Sequence, residues 1–282
     1  MRSWCLAAIA ALALASQPGH AGAADTMAEA SMLVEGTAVI NPDGSVASYK
    51  LKQQEKLPPP IVGLIAQALP AWKFQFRTPP AAPVEENMSL RIVATDADRT
   101  HMTLRIASAQ FEQGAQPENE ILRYASQKRP LYPRLSLDGR MSGTVYVLVL
   151  VDRDGKVTEA AAEQVNLRRY TDKRLMELYR KDLANAALKA IRQWTFHVPT
   201  AGSQAQAPSW YGRVPVTFSV NNMDPNDGSK YGTWEIYVRG PRETIPWLQD
   251  RRLLAEEPDA TPDGALHQLD GGAKLLTPLS PN

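Results

Sequence analysis

From Gly143 to Val151 the chain runs without a polar break. Val145, Val147, Val149 and Val151 point one way; Tyr146, Leu148 and Leu150 point the other. Apolar character on both faces predicts a central strand covered on both sides. Arg153-Asp154-Gly155-Lys156-Val157 follows. Asp-Gly between β-favouring residues predicts a tight hairpin turn, because Gly tolerates the positive φ such turns need. The period then changes. Leu183, Ala184, Ala187, Leu188, Ile191 and Trp194 form a helical stripe, with Lys181, Asn185, Lys189 and Arg192 opposite. A preceding stretch, Thr171 to Arg180, also reads as helical. Val214, Val216, Phe218 and Val220 next share a face, and beyond a loop with Asp227-Gly228, Trp234, Ile236 and Val238 alternate with Glu235 and Arg239. These two runs are predicted to pair as a second hairpin.

The same order occurs once before. Glu35-Gly36-Thr37, a short apolar run and Pro42-Asp43-Gly44-Ser45-Val46 parallel Ser142-Gly143-Thr144 and its Asp-Gly turn. Trp72-Lys73-Phe74 parallels Trp194-Thr195-Phe196 at the end of each helical segment. The first helix, about Pro60 to Trp72, carries Ile61, Leu64, Ile65, Ala68 and Leu69 with only Gln67 clearly polar, and is expected to be the more buried of the two. Met88, Leu90 and Ile92, a turn at Asp96 to Arg99, and Met102, Leu104 and Ile106 complete the earlier half. Hairpin, helix, hairpin thus appears twice. This predicts an α+β fold of two modules, each a mainly antiparallel sheet with one packed helix, at residues 31–110 and 131–240. Residues 111–130 read as a linker, with a helical turn at Ile121-Leu122-Arg123-Tyr124. Residues 241–282 form a tail rich in Pro, Gly and Asp, either draped or mobile, with Leu253, Leu254, Leu275 and Leu276 as docking points.

The N-terminus sets the compartment. Arg2, an apolar run from Trp4 to Ala15 and the small triplet Ala21-Gly22-Ala23 describe a secretory signal peptide over residues 1–23. The run is short of the roughly 20 residues a spanning helix needs. The alternative is an uncleaved anchor. Removal of 1–23 takes away Arg2 and Cys5, the one cysteine, and leaves a chain without disulfides. Over the whole chain, 31 Lys+Arg against 30 Asp+Glu give a net charge of +1, which lacks the basic footprint of a nucleic-acid binder.

No catalytic constellation emerges. His101, His197 and His267 are scattered, and no pair has zinc spacing. His197 is placed to stabilise a helix C-terminus. Gly139 to Gly143 is not a nucleophile elbow, and Asp152-Arg153-Asp154-Gly155 is a turn rather than a calcium loop. Glu85-Glu86 and Glu256-Glu257 read as solvated charges, and Trp72 and Trp194 as core. Trp210 and Tyr211 are the aromatics expected to be exposed. No enzyme activity, metal, small-molecule cofactor or nucleic acid is expected.

Tyr132-Pro133, Gly143, Val151 to Val157, Ala186-Ala187-Leu188, Trp194-Thr195-Phe196 and Pro215-Val216-Thr217-Phe218 together resemble the C-terminal domain of the TonB family. The match covers roughly residues 126–220, and the earlier half resembles a degenerate copy without the Tyr-Pro. The resemblance implies a periplasmic domain that grips an outer-membrane transporter, or another envelope protein, by taking a short peptide as an added strand. Two departures stand out. No extended Pro-rich spacer precedes the module, and Arg129, Pro130 and Leu131 stand where family members often carry a Gln. A soluble adaptor and an anchored energy transducer are the two forms this leaves, with an envelope enzyme or inhibitor as a third class. Pro215 independently marks a sheet edge or strand start. The candidate partner-binding residues are Arg129, Tyr132, Trp210, Tyr211, Arg213, Val214, Pro215, Val216, Thr217, Phe218, Ser219 and Val220. Their strand is either open to an incoming peptide or covered by residues 233–239. A homodimer through sheet edges is a further expectation.

Overall fold

The computed structural model describes residues 28–76, 78–98, 101–114, 116–220, 231–248, 253, 256–269 and 272–279. The expected signal peptide and the Asp227-Gly228 turn lie outside them. The fold is α+β, with antiparallel sheets throughout and few helices. Among the described residues no helix is long and apolar enough to cross a membrane.

The first sheet is built on β1 (Glu29–Ile40), which pairs with β2 (Val46–Leu51) through the Pro42-Asp43-Gly44 turn and with β4 (Val84–Asp98) along its other side. Strand β5 (His101–Gln113) completes the sheet beyond β4. Helix α1 (Pro59–Ala68) and a 3₁₀ turn (Leu69–Ala71) bury Ile61, Ile65 and Leu69 on one sheet face, beside Leu90, Ile92 and Phe111. Gly63, Ala66 and Gln67 stay exposed, so α1 is not enclosed as its composition predicts. It is apolar all round only because its outer residues are small.

The second sheet has β7 (Gly143–Asp152) at its centre, between β8 (Val157–Leu167) and β10 (Ser209–Phe218). The short helix α2 (Arg134–Asp138) precedes β7, and helix α3 (Lys173–Ile191) is a single element that joins the two helical stretches expected separately. The Asp172 carboxylate accepts the Arg174 and Leu175 N–H groups at 2.9 and 3.3 Å, satisfying donors that a helix start leaves orphaned. Met176, Leu183, Ala187 and Ile191 of α3 pack on Val145, Val147, Val149 and Val151.

The two Asp-Gly turns make the same backbone contacts. Gly44 and Gly155 have φ of 79° and 75°. The Phe74 N–H donates to Gly44 O and the Phe196 N–H to Gly155 O, both at 2.8 Å. Each aromatic lies on a short strand: β3 (Phe74–Gln75), paired with β13 (Lys274–Leu275), and β9 (Thr195–His197), paired with β6 (Arg123–Ser126). Residues 121–124 therefore lead into a strand instead of a helical turn. Phe111 and Leu122 are both buried, so the expected linker contributes core residues.

The second expected hairpin does not form. Strand β11 (Glu235–Tyr237) turns away from β10 and pairs with Glu29–Ser31 of β1. The reason is in β1, whose first residues extend past β2 and offer an unpaired edge. Val238 then exchanges two backbone hydrogen bonds with Leu167, at 2.8 and 3.0 Å, and so ties the second sheet to the first.

The sheet faces opposite the helices meet across an ionic layer. Arg91 is buried, with its guanidinium on Glu235 at 2.6 Å and on the Asp259 carbonyl at 3.0 Å. The segment after residue 240 runs through this layer. Its Ile245, Leu248, Leu253 and Leu269 pack on Leu148, so the tail is draped over the second sheet. Leu275 is half-buried, Leu276 is exposed, and Leu254 lies outside the described residues.

Candidate functional site

Strand β10 alternates. Trp210, Val214, Val216 and Phe218 face α3, while Tyr211, Arg213, Pro215 and Thr217 face the tail. Trp210 is therefore fully buried, against the expectation of exposure, since it is the first inward position of the strand. Tyr211 is half-buried and stacked on Trp247 at 6.4 Å between ring centroids. Arg213 is a correction as well. It is 0% exposed and grips Glu163, also 0% exposed, through Nε at 2.8 Å and Nη2 at 3.1 Å. Arg242 reaches the same carboxylate. Arg213 is a structural ion pair rather than a partner contact, because the tail covers the sheet face that strand alternation alone leaves to solvent.

The remaining candidates divide. Tyr132 donates its hydroxyl to Met141 O at 2.7 Å and meets Phe218 edge-on at 5.4 Å, which fixes the end of β10. Val214, Val216 and Phe218 are core residues, and Pro215 is buried. Thr217 is half-buried and Ser219 exposed. Half-buried Val220 donates its N–H to Ser142 Oγ at 3.2 Å. Arg129 is exposed on the segment before Tyr132. His197 is the last residue of β9, opposite Arg123, and not at the helix end as expected.

Strand β7 bonds the inner edge of β10 along its whole length. Along the outer edge, among the described residues, the strand partner is β12 (His267–Gln268), which pairs antiparallel with Arg213 and Gly212. The edge is thus covered neither by residues 233–239 nor by nothing. The Leu269 N–H donates to Tyr211 O at 3.1 Å, and Thr217 Oγ1 donates to Asp263 Oδ1 at 2.5 Å.

Two proteins named TonB, from two strains of Xanthomonas campestris pv. campestris, are similar to this chain. Each is 33% identical over 92 residues, which is 33% of this chain and 35% of the relative. The chain spans about a third of the length of the curated relatives it matches. No family model matches it, and no solved structure matches it.

The covering segment was missed in the sequence because its polar residues carry no pattern. His267 is buried between Glu112 of β5, 2.6 Å from Nδ1, and Glu256, 3.1 Å from Nε2. Burial opposes charge on this ring, but the hydrogen bonds to the two carboxylates and their charge outweigh it and raise its pKa. Thr261 Oγ1 donates to Gln110 Oε1 at 2.6 Å, and the Tyr124 hydroxyl to Ala265 O at 2.8 Å. Glu86 is not solvated as expected. It is 1% exposed, and burial pushes its carboxyl up to about 7 although the Ala273 N–H donates to it. Glu256 and Glu257 are half-buried and ion-paired. A cavity of about 310 Å³ lies between the sheets beside this edge, lined by Thr144, Tyr146, Arg168, Glu235 and Asp263 among others.

Proposed function

We propose that this chain is a non-enzymatic protein of the periplasm that binds an outer-membrane transporter or another envelope protein by strand addition to β10. In this reading residues 131–240 are a TonB-C-terminal-like module, and residues 31–110 are a degenerate copy of it. The observation that carries it is the outer edge of β10, whose strand partner among the described residues is two residues long. Pro215 removes one N–H from that edge, and the groups of Thr217 stand next to the exposed Ser219. The similarity to the two TonB proteins supports the same assignment.

A photo-crosslinking side chain at Ser219, in the full chain expressed in a Gram-negative host, tests it. The expected adduct joins the chain to an outer-membrane transporter or other envelope protein and disappears in Thr217→Pro, whose circular dichroism stays that of the parent. An adduct unaffected by Thr217→Pro sinks the site. Fractionation separates the two forms of the proposal. Loss of residues 1–23 with a periplasmic product is expected of the adaptor, and an uncleaved chain in the inner membrane points to the anchored transducer.

A further inference from the structure

The partner of β10 in this structure is a piece of the chain itself, and its register continues past the two paired residues. His267 lies opposite Arg213 and Gln268 opposite Gly212, and Leu269 bonds to Tyr211. Counting back in the same antiparallel register brings Ala265 to Pro215 and Asp263 to Thr217. The Thr217–Asp263 hydrogen bond lies at that position, and Thr144 Oγ1, 2.9 Å from Thr217 Oγ1, backs it from β7. Between these contacts the Ala265 N–H turns back to Pro262 O at 3.1 Å, and Gly264 takes a φ of 76°. The segment lifts off the edge where Pro215 has no N–H to share.

We infer that Pro262–Leu269 is a resident pseudo-ligand, a strap that closes the β10 edge and that a partner strand must displace. The inference rests on the strand-addition reading of β10. It also names what the partner replaces: an extended segment with an acidic side chain at the Thr217 position, where Asp263 now accepts from the hydroxyl and lies 3.9 Å from Arg168. Displacement starts at the Asp263 end. Beyond Thr261, which Gln110 anchors, side-chain contacts of Asp263 with Thr217 and Arg168 hold that end, whereas backbone pairing and the Glu112–His267–Glu256 clamp hold the other. A tethered strap competes at an effective concentration on the order of millimolar, so the edge binds a free peptide only weakly while the strap is down.

The test uses the full chain with Cys5→Ser and, as probe, a fluorescent synthetic peptide of the strap sequence Thr261 to Leu269. A released variant, Asp263→Ala with His267→Ala, is expected to bind the peptide at least tenfold more tightly than the parent and to lose amide-exchange protection at Arg213 and Leu269. A locked variant, Thr217→Cys with Asp263→Cys, is expected to bind nothing when oxidised and to bind the peptide at least as well as the parent when reduced. Equal peptide affinity in parent, released and oxidised locked chains overturns the strap, and so does full protection of Arg213 and Leu269 in the released variant. A released chain whose edge amides exchange freely but which takes up no peptide overturns the strand-addition reading instead.

Discussion

The two halves of the molecule each carry a turn, a helix and an aromatic strand, yet the long strand that follows the aromatic one is treated in opposite ways. In the first half that strand is β4, sealed between β1 and the long β5. In the second it is β10, bonded by β7 on one side and by two residues of the tail on the other. A long antiparallel neighbour makes β4 a core element, whereas β10 has only a short, polar neighbour of two residues along its outer edge. The halves also differ in how their helices start. Helix α1 begins after Pro58 with no side-chain cap, while α3 has Asp172. The same layout therefore supports a buttress in one half and a proposed grip in the other.

The comparison breaks most severely at the ionic layer. Glu163→Leu leaves the buried Arg213 charge without its carboxylate, which costs about 3–5 kcal/mol, and Arg213→Met costs less because Arg242 still reaches Glu163. The double substitution is expected to recover much of this in urea unfolding, as expected of a structural pair. Near-zero cost for either single variant removes the reason for excluding Arg213 from the partner surface. The turns come next. A Cβ on Gly44 or Gly155 meets Phe74 O or Phe196 O at 2.0 Å, and both glycines hold positive φ. Gly44→Ala and Gly155→Ala are each expected to destabilise by about 2–4 kcal/mol. A large cost at one turn and none at the other undoes the equivalence of the two turns.

The smallest effect concerns pH. The folded pKa of Glu86 is about 7, above the ordinary glutamate value, so the native state holds its proton more tightly than the unfolded chain. Stability then falls as pH rises from about 4.5 to about 7. His267 acts in the same direction. Its folded pKa is raised, so its contribution is complete below the ordinary histidine value and is lost as pH rises through the folded one. The net loss between pH 5 and 8 is on the order of 1–3 kcal/mol. Glu86→Gln should flatten the lower part of this profile, and an unchanged slope in melting experiments refutes the assignment.

Much of the fold was legible because it depends on local pattern. Alternation from Gly143 to Val151 marks β7, the two Asp-Gly turns mark their hairpins, and the stripe ending at Trp194 marks α3. The site was less legible. Trp210 is the second residue of β10, and no local signal sets a strand start that closely. Arg213 reads as a surface residue until its cover is known. Residues 233–239 alternate as a strand should, but nothing local says whether such a strand pairs with β10 or with β1.

By itself the sequence determined the long strands and the longer helix, because backbone propensity and hydrophobic period act over a few residues. Only the tertiary structure decided what covers each edge. It sent β11 to the first sheet, turned Glu86, Arg91 and Arg213 inward, and laid the tail along β10. Pairing across long sequence distances is chosen by which backbone groups and charges remain unsatisfied once the local elements have formed. That competition involves the whole chain at once, and no window of the sequence records it.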